Sequence, residues 1–177
     1  MEIETKKIQL GDQLQLNLRG IGLFTATAHS IETIGVRFMF DDDILSCGMN
    51  KYPTNIGGYE KSRLFDWINN ELKNAFPDEL KSRIIDISLP SYGQIFGHDG
   101  YYKDTFEPDN DVQFQLMSIR RNRIGIKQQP TDWYWIKNAT KKEISNAKFA
   151  IGSGYGGVSF GVANGQNGVR PTFLLVI

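Results

Sequence analysis

Residues 13–40 read QLQLNLRGIGLFTATAHSIETIGVRFMF, and their pattern decides the fold class. Gln13-Leu14-Gln15-Leu16-Asn17-Leu18 alternates polar and apolar residues, the period of a half-buried β-strand. Arg19-Gly20-Ile21-Gly22 interrupts it. Leu23 to His29 and Gly35 to Phe40 then supply two more strands, rich in Phe, Thr, Val and Ile, with Ile31 to Ile34 as the turn between them. Adjacent short strands of this kind build a twisted, mostly antiparallel sheet.

Outward from this stretch the pattern changes twice. Residues 41–61 read as loop, with Asp41-Asp42-Asp43, Pro53, Gly57 and Gly58. Leu64, Trp67, Ile68, Leu72, Ala75 and Phe76 then recur at helical spacing, so they share one face of an amphipathic helix. Ser62 stands just ahead as the N-cap, its hydroxyl facing a free N–H of the first turn. Pro77 ends that helix and opens a second, with Asp78 and Glu79 where the helix dipole favours anions. Leu80, Ile84 and Ile85 would face the core from it. Residues 88–132 are irregular, with Val112 to Ile119 and Arg123 to Lys127 as short strands; so long a loop-rich stretch in a domain of this size is often functional. Strands return at Trp133 to Lys137, Lys148 to Ile151, Val158 to Val162 and Val169 to Val176. Asn164-Gly165 and Asn167-Gly168 mark turns, since both residue types tolerate positive φ. The class is therefore α+β: a sheet with two helices and a long loop-rich second half.

Bulk properties narrow the function. The 177 residues suit one domain over residues 13–177 with an N-terminal arm over residues 1–12. Lys plus Arg equals Asp plus Glu at 20 each, so no general attraction to nucleic acid or anionic membrane exists. The single cysteine, Cys47, excludes an intrachain disulfide and suits a reducing compartment. Met1 to Lys7 carries charges of both signs and no apolar stretch, and no apolar run reaches the length of a membrane helix. The expectation is a protein made in the cytoplasm without a signal peptide.

Each chemically suggestive group has a plainer structural reading beside it. Cys47 lacks an evident activating cation, and acidic residues precede it, so a buried inert thiol is expected. His29 and His98 are too far apart in sequence and too few for a zinc site or a catalytic triad. Asp41-Asp42-Asp43 and the run Glu107 to Asp111 offer oxygen ligands for calcium, yet solvated acidic loops are the simpler reading. Arg120-Arg121-Asn122-Arg123, with Lys127, could grip a phosphate or an acidic surface, or could form internal ion pairs. Gly152 to Gly157 lacks the Gly-Lys-Ser/Thr ending of a phosphate loop. No catalytic residue, cofactor or metal is expected. Tyr101 and Tyr102, on the long loop, are contact candidates because exposed tyrosines bury large area at low entropy cost.

Three segments carry a resemblance. Tyr59, Ser62, Leu64, Trp67, Ile68 and Asn69 resemble a helix pattern Y..S.L..WLN. Tyr134-Trp135-Ile136-Lys137-Asn138 resembles a WWLRS box. Gly168-Val169-Arg170-Pro171-Thr172-Phe173-Leu174-Leu175 resembles a GVRPALWL close. In this order, over roughly residues 8–177, they resemble the domain-of-unknown-function 6273 family of bacteria and their phages, with Tyr134 in place of the usual Trp and Thr172 in place of Ala. The resemblance implies a C-type-lectin-like fold, akin to formylglycine-generating enzymes and to the variable receptor-binding proteins of diversity-generating retroelements. In such folds the first and last strands pair and an irregular loop sits above them. It makes Trp67, Trp135, Gly168, Arg170 and Pro171 structural, and it places ligand contacts late in the chain, at Tyr155, Asn164, Gln166 and Asn167. The cysteine that the enzymatic relatives use near the C-terminal part is absent. Because phage members are often encoded among virion structural genes, it further implies a non-catalytic virion surface component: capsid decoration, tail or fibre. Its partners would be its own copies in a homo-oligomer, other virion proteins, or a host-surface glycan. The rival expectation is a bacterial carbohydrate- or peptide-binding module.

Overall fold

A computed structural model describes residues 7–129 and 131–177. The first part of the expected arm, residues 1–6, lies outside the described residues. In chain order the first strands are β1 (Gln13–Leu18), β2 (Gly22–Glu32), β3 (Gly35–Phe40), β4 (Ser46–Cys47) and β5 (Ile84–Ser88). The later ones are β6 (Trp133–Ala139), β7 (Lys148–Ser153), β8 (Val158–Val162), β9 (Asn167–Gly168) and β10 (Thr172–Val176). They form two five-stranded sheets, ordered β1-β2-β3-β10-β5 and β4-β9-β6-β7-β8. All pairings are antiparallel except the short parallel contact of β6 with β9. The α+β class and the mainly antiparallel sheets agree with the sequence.

Burial explains the strand order. β3 is buried at every position, and β10 at all but its last, so these two lie side by side in the middle of the first sheet. The alternating β1 buries Leu16 and Leu18 and exposes the polar residues between, which suits an edge. The expected pairing of the first and last strands is therefore corrected: β2 and β3 stand between β1 and β10. Gly35 in β3 is required by the close pairing, because a Cβ there would fall 2.2 Å from the Leu175 carbonyl oxygen. β10 starts at Thr172 rather than Val169, since Pro171 has no N–H to give a ladder.

The amphipathic helix forms as its spacing dictates. It comprises α1 (Arg63–Trp67), a π turn over Ile68–Leu72 and α2 (Lys73–Ala75). The Phe65 N–H donates to Ser62 Oγ at 3.1 Å, the expected cap. Leu64, Ile68, Leu72, Ala75 and Phe76 are buried against the first sheet's strand residues Phe38, Phe40 and Phe173. α3 (Asp78–Lys81) follows Pro77 as read. Ile84 and Ile85 do not continue it: they begin β5, so alternation buries Ile84 and leaves Ile85 exposed.

The irregular stretch holds structure that the sequence reading missed. α4 (Tyr92–Phe96) starts at a reciprocal Ser91/Gln94 capping box, and α5 (Gly100–Thr105) starts at Asp99, which accepts from the Tyr102 N–H. The expected strands at Val112 to Ile119 and Arg123 to Lys127 are instead 3₁₀ turns at Gln115–Ser118 and Arg120–Arg123, followed by a tight turn. Phe114 and Met117 are buried three residues apart, the eclipsing period of a 3₁₀ turn, while Val112, Ile119 and Ile126 point outward. These buried residues join Tyr92, Ile95, Tyr102, Phe106, Tyr134 and Ile136 in a second hydrophobic cluster.

Within that second cluster, Gly152 of β7 lies across the ladder from Tyr134 of β6. A Cβ on Gly152 would sit 2.4 Å from the Tyr134 ring. Gly152→Ala is expected to lower unfolding stability by about 1–3 kcal/mol through overpacking, measured as a lower urea midpoint at an unchanged m-value.

Candidate functional site

The late-chain polar candidates converge with the start of the long helix. Asn50 N–H donates to the Ala163 carbonyl at 2.9 Å, and the Leu64 N–H donates to the Met49 carbonyl at 3.1 Å. The Asn50 side chain accepts from the Arg63 N–H at 3.0 Å and donates to the Thr54 carbonyl at 2.7 Å. The loop after β4 is thus pinned both to the helix start and to the Asn164-Gly165 turn. Trp135, wholly buried, donates its indole N–H to the Cys47 carbonyl at 2.8 Å and fixes the strand beneath.

Between these elements lies an open groove of about 440 Å³, walled by Lys51, Arg63, Trp67, Asn164 and Gln166. Trp67 is half-buried and packs on the core with one side. Asn164, Gln166 and Arg63 are exposed, and their side chains make no hydrogen bond to the described residues. Amide donors and acceptors, two cations and an indole edge in one groove can hold a polar ligand with an apolar face. Cys47 also lines the groove. Burial pushes its thiol up, against a smaller opposing pull from Arg63, so it stays protonated at neutral pH and is a poor nucleophile. The cause is burial rather than the acidic residues that precede it in sequence.

The other candidates are scattered. Asn167 is not a turn tip: it pairs with Cys47 in the β9–β4 ladder, and Gly168 packs against Asp43. Tyr155 is 63% exposed on the β7–β8 turn, away from the groove, and its carbonyl accepts from Arg120 Nε at 2.7 Å. Tyr101 is exposed on α5 and stands edge-on to Phe106. Tyr102 is corrected from a surface contact to a core residue: its ring is buried, and its hydroxyl donates to the Asp109 carbonyl at 3.0 Å. Pro171 and Arg170 are buried, as a structural role requires; Arg170 donates to the Phe40 carbonyl at 3.3 Å and the Arg123 carbonyl at 3.1 Å.

The acidic run around residue 109 is a structural hub. One Asp109 oxygen accepts from Gly93 N–H at 3.1 Å and Asn138 Nδ2 at 2.8 Å. The other meets His98 Nε2 at 2.9 Å and accepts from Asp111 N–H at 3.0 Å. Burial pushes this carboxyl up, but the four hydrogen bonds overcome it and hold it below its ordinary range. With its lone pairs spent, Asp109 has none for calcium, and no cluster among the described residues has the makings of a metal site. Gly93 is dictated by the hub, since a Cβ there would lie 2.3 Å from Asp109 Oδ1. The residues that sequence reasoning missed, Gly93, Asn138 and Asp109 as one unit, are far apart in the chain and carry no local signal.

Comparison with protein-family models, curated proteins and solved structures finds no match to this chain.

Asp43 is the acid most altered by the fold. Burial pushes its carboxyl up to about 6; Arg170 opposes this, and Asp42 and Asp132 add to it. A carboxyl raised above its unfolded value stabilises the fold below the unfolded pKa, and that contribution is lost as pH rises through about 6. Asp43 therefore contributes a fall in stability between about pH 4 and 6, set against an opposite rise from the buried neutral His29, whose imidazole is lowered to about 4. Asp43→Asn should remove that fall, so the stability of the variant relative to wild type climbs between about pH 4 and 6 to at most about 3 kcal/mol at pH 8, read from urea titrations of both proteins across pH.

Proposed function

We propose that this chain is a non-catalytic recognition module of the C-type-lectin-like kind, and that it works on the surface of a phage or phage-like particle. The observation that carries the recognition reading is the groove lined together by Trp67 and by Asn164 and Gln166, whose amides make no hydrogen bond to the described residues. Loops held by a scaffold are where binding residues concentrate, and an indole beside amides suits the mixed apolar and hydroxylated faces of a sugar. The resemblance of the helix, the Tyr134–Asn138 box and the Gly168–Leu175 close to a phage-borne family supports the particle surface as its place. No helix among the described residues is long and apolar enough to cross a membrane.

Assembly with its own copies is the second reading. Exposed Val112, Ile119, Ile126 and Tyr155 favour it, because apolar side chains on the second half would be covered by sibling subunits.

The two readings separate on an array of bacterial surface polysaccharides, with light scattering on the same protein. A recognition module binds at least one glycan, and Gln166→Ala with Trp67→Ala weakens it tenfold or more while Tyr155→Ala leaves it unchanged. Absence of glycan binding together with a closed oligomer that Val112→Asp dissociates would overturn recognition in favour of assembly.

A further inference from the structure

A second cleft lies between β2 and the Arg120–Arg123 turn, and it shares no lining residue with the groove. Its volume is about 340 Å³, at the small end of ligand sites. Two of its lining side chains, Arg170 and His29, are more than nine-tenths buried, at 3% and 6% exposure. A buried guanidinium ordinarily sits against a carboxylate. Arg170 does not: it stacks on the Tyr134 ring at 4.8 Å and donates to two backbone carbonyls, with no ion pair to any described carboxylate. His29 also lacks a partner, its Nδ1 unbonded among the described residues. Burial, with Arg170 adding to it, lowers this imidazole to about 4, so at neutral pH it brings no charge of its own.

The rest of the lining is sorted by chemistry. Arg121 stands exposed at the rim, whereas its neighbours Arg120 and Arg123 are spent on backbone carbonyls and on the face of Phe96. Asn122 and Gln13 add amides. Asp41 presents a carboxylate held by Thr27 Oγ1 at 2.6 Å and by Gln13 Nε2 at 3.4 Å. Leu116, Ile124 and Ile126 make an apolar wall.

We propose that this cleft binds an acidic monosaccharide unit, its carboxylate on Arg170 and Arg121, a hydroxyl on Asp41, and its C–H face on Leu116, Ile124 and Ile126. A bare phosphate would use the two arginines, but it would set more than one negative charge near Asp41 and has no C–H face for Leu116, Ile124 and Ile126. A neutral sugar would leave the guanidinium of Arg170 without its anion. The ligand that satisfies all the groups carries one carboxylate and several hydroxyls, which defines a uronic or related sugar acid. Pairing of a carboxylate with the buried Arg170 is the main attraction, and Asp41 favours a ligand that carries hydroxyls to donate.

The test is calorimetric titration of the full chain with glucuronate and galacturonate, beside glucose and inorganic phosphate. Binding of a uronate at least tenfold tighter than of glucose or phosphate is the expected result. Arg121→Ala should weaken it about tenfold and Ile126→Trp should block it; both positions are exposed, and unchanged melting curves would show the fold intact. Equal binding of uronate and phosphate, equal binding of uronate and glucose, no uronate binding, or unaltered affinity in Arg121→Ala would each overturn the proposal.

Discussion

Arg170 is the point where the two sheets are tied. The chain leaves the second sheet at β9, crosses through Val169, Arg170 and Pro171, and enters the centre of the first sheet as β10. At that crossing the guanidinium bonds the Phe40 carbonyl at the end of β3 and the Arg123 carbonyl of the adjoining turn, and lies on the Tyr134 ring of β6. One side chain therefore contacts the first sheet, the second sheet and the irregular stretch together. A buried cation cannot be left without acceptors, so each of these elements is held where it can supply one. Pro171 contributes by removing an N–H that the crossing could not satisfy, and its carbonyl accepts from the Phe40 N–H at 3.1 Å.

The irregular stretch is ordered by the same means rather than by a ladder. Asp109 gathers Gly93, His98, Asp111 and Asn138. Asn138 in turn accepts from the Tyr92 N–H and donates to the Glu107 carbonyl, so one strand residue fixes the start of α4 and the end of the acidic run. Asn55 does likewise for another loop, with its amide among the carbonyls of Thr140, Ser145 and Lys148. Buried polar hubs of this kind convert a long loop into a rigid surface.

That division explains what could be read from the chain alone. The alternation of residues 13–18 and the mainly apolar stretches at residues 35–40 and 172–176, broken only by Arg37 and Thr172, are local signals, and β1, β3 and β10 follow from them. Ser62 before a helical stripe is local too. The strand order is not: that β2 and β3 stand between β1 and β10 follows from comparing burial along strands far apart in sequence. The 3₁₀ turns after residue 114 were hidden because three outward-facing apolar residues, Val112, Ile119 and Ile126, imitate strand content. At the sites, Asn164-Gly165 is legible as a turn, while Asn164 and Gln166 become contact candidates only through the family resemblance. Tyr102 was not, because a tyrosine two residues into a short helix looks the same whether its ring faces solvent or Asp109. The cleft beside β2 was invisible, since Arg170 and His29 lie more than a hundred residues apart.

A net charge of zero conceals how unevenly the charge is placed. Asp41, Asp42, Asp43 and Asp132 line one wall, and Arg170 is close enough to oppose the rise that burial gives Asp41 and Asp43, yet none closes into an ion pair with it. An Arg–carboxylate pair at this point would spend the guanidinium internally and strengthen the fold. Instead Asp41 is taken by Thr27, Asp42 accepts from the Lys127 N–H at 2.6 Å, and Asp43 is packed against Gly168 with one oxygen unbonded. The arrangement leaves Arg170 bonded to backbone carbonyls and stacked on the Tyr134 ring, with no carboxylate among the described residues paired to it. Carbonyl oxygens carry only partial charge, so they satisfy the guanidinium's donors without neutralising it, and the fold forgoes an internal Coulombic attraction at the crossing on which both sheets depend.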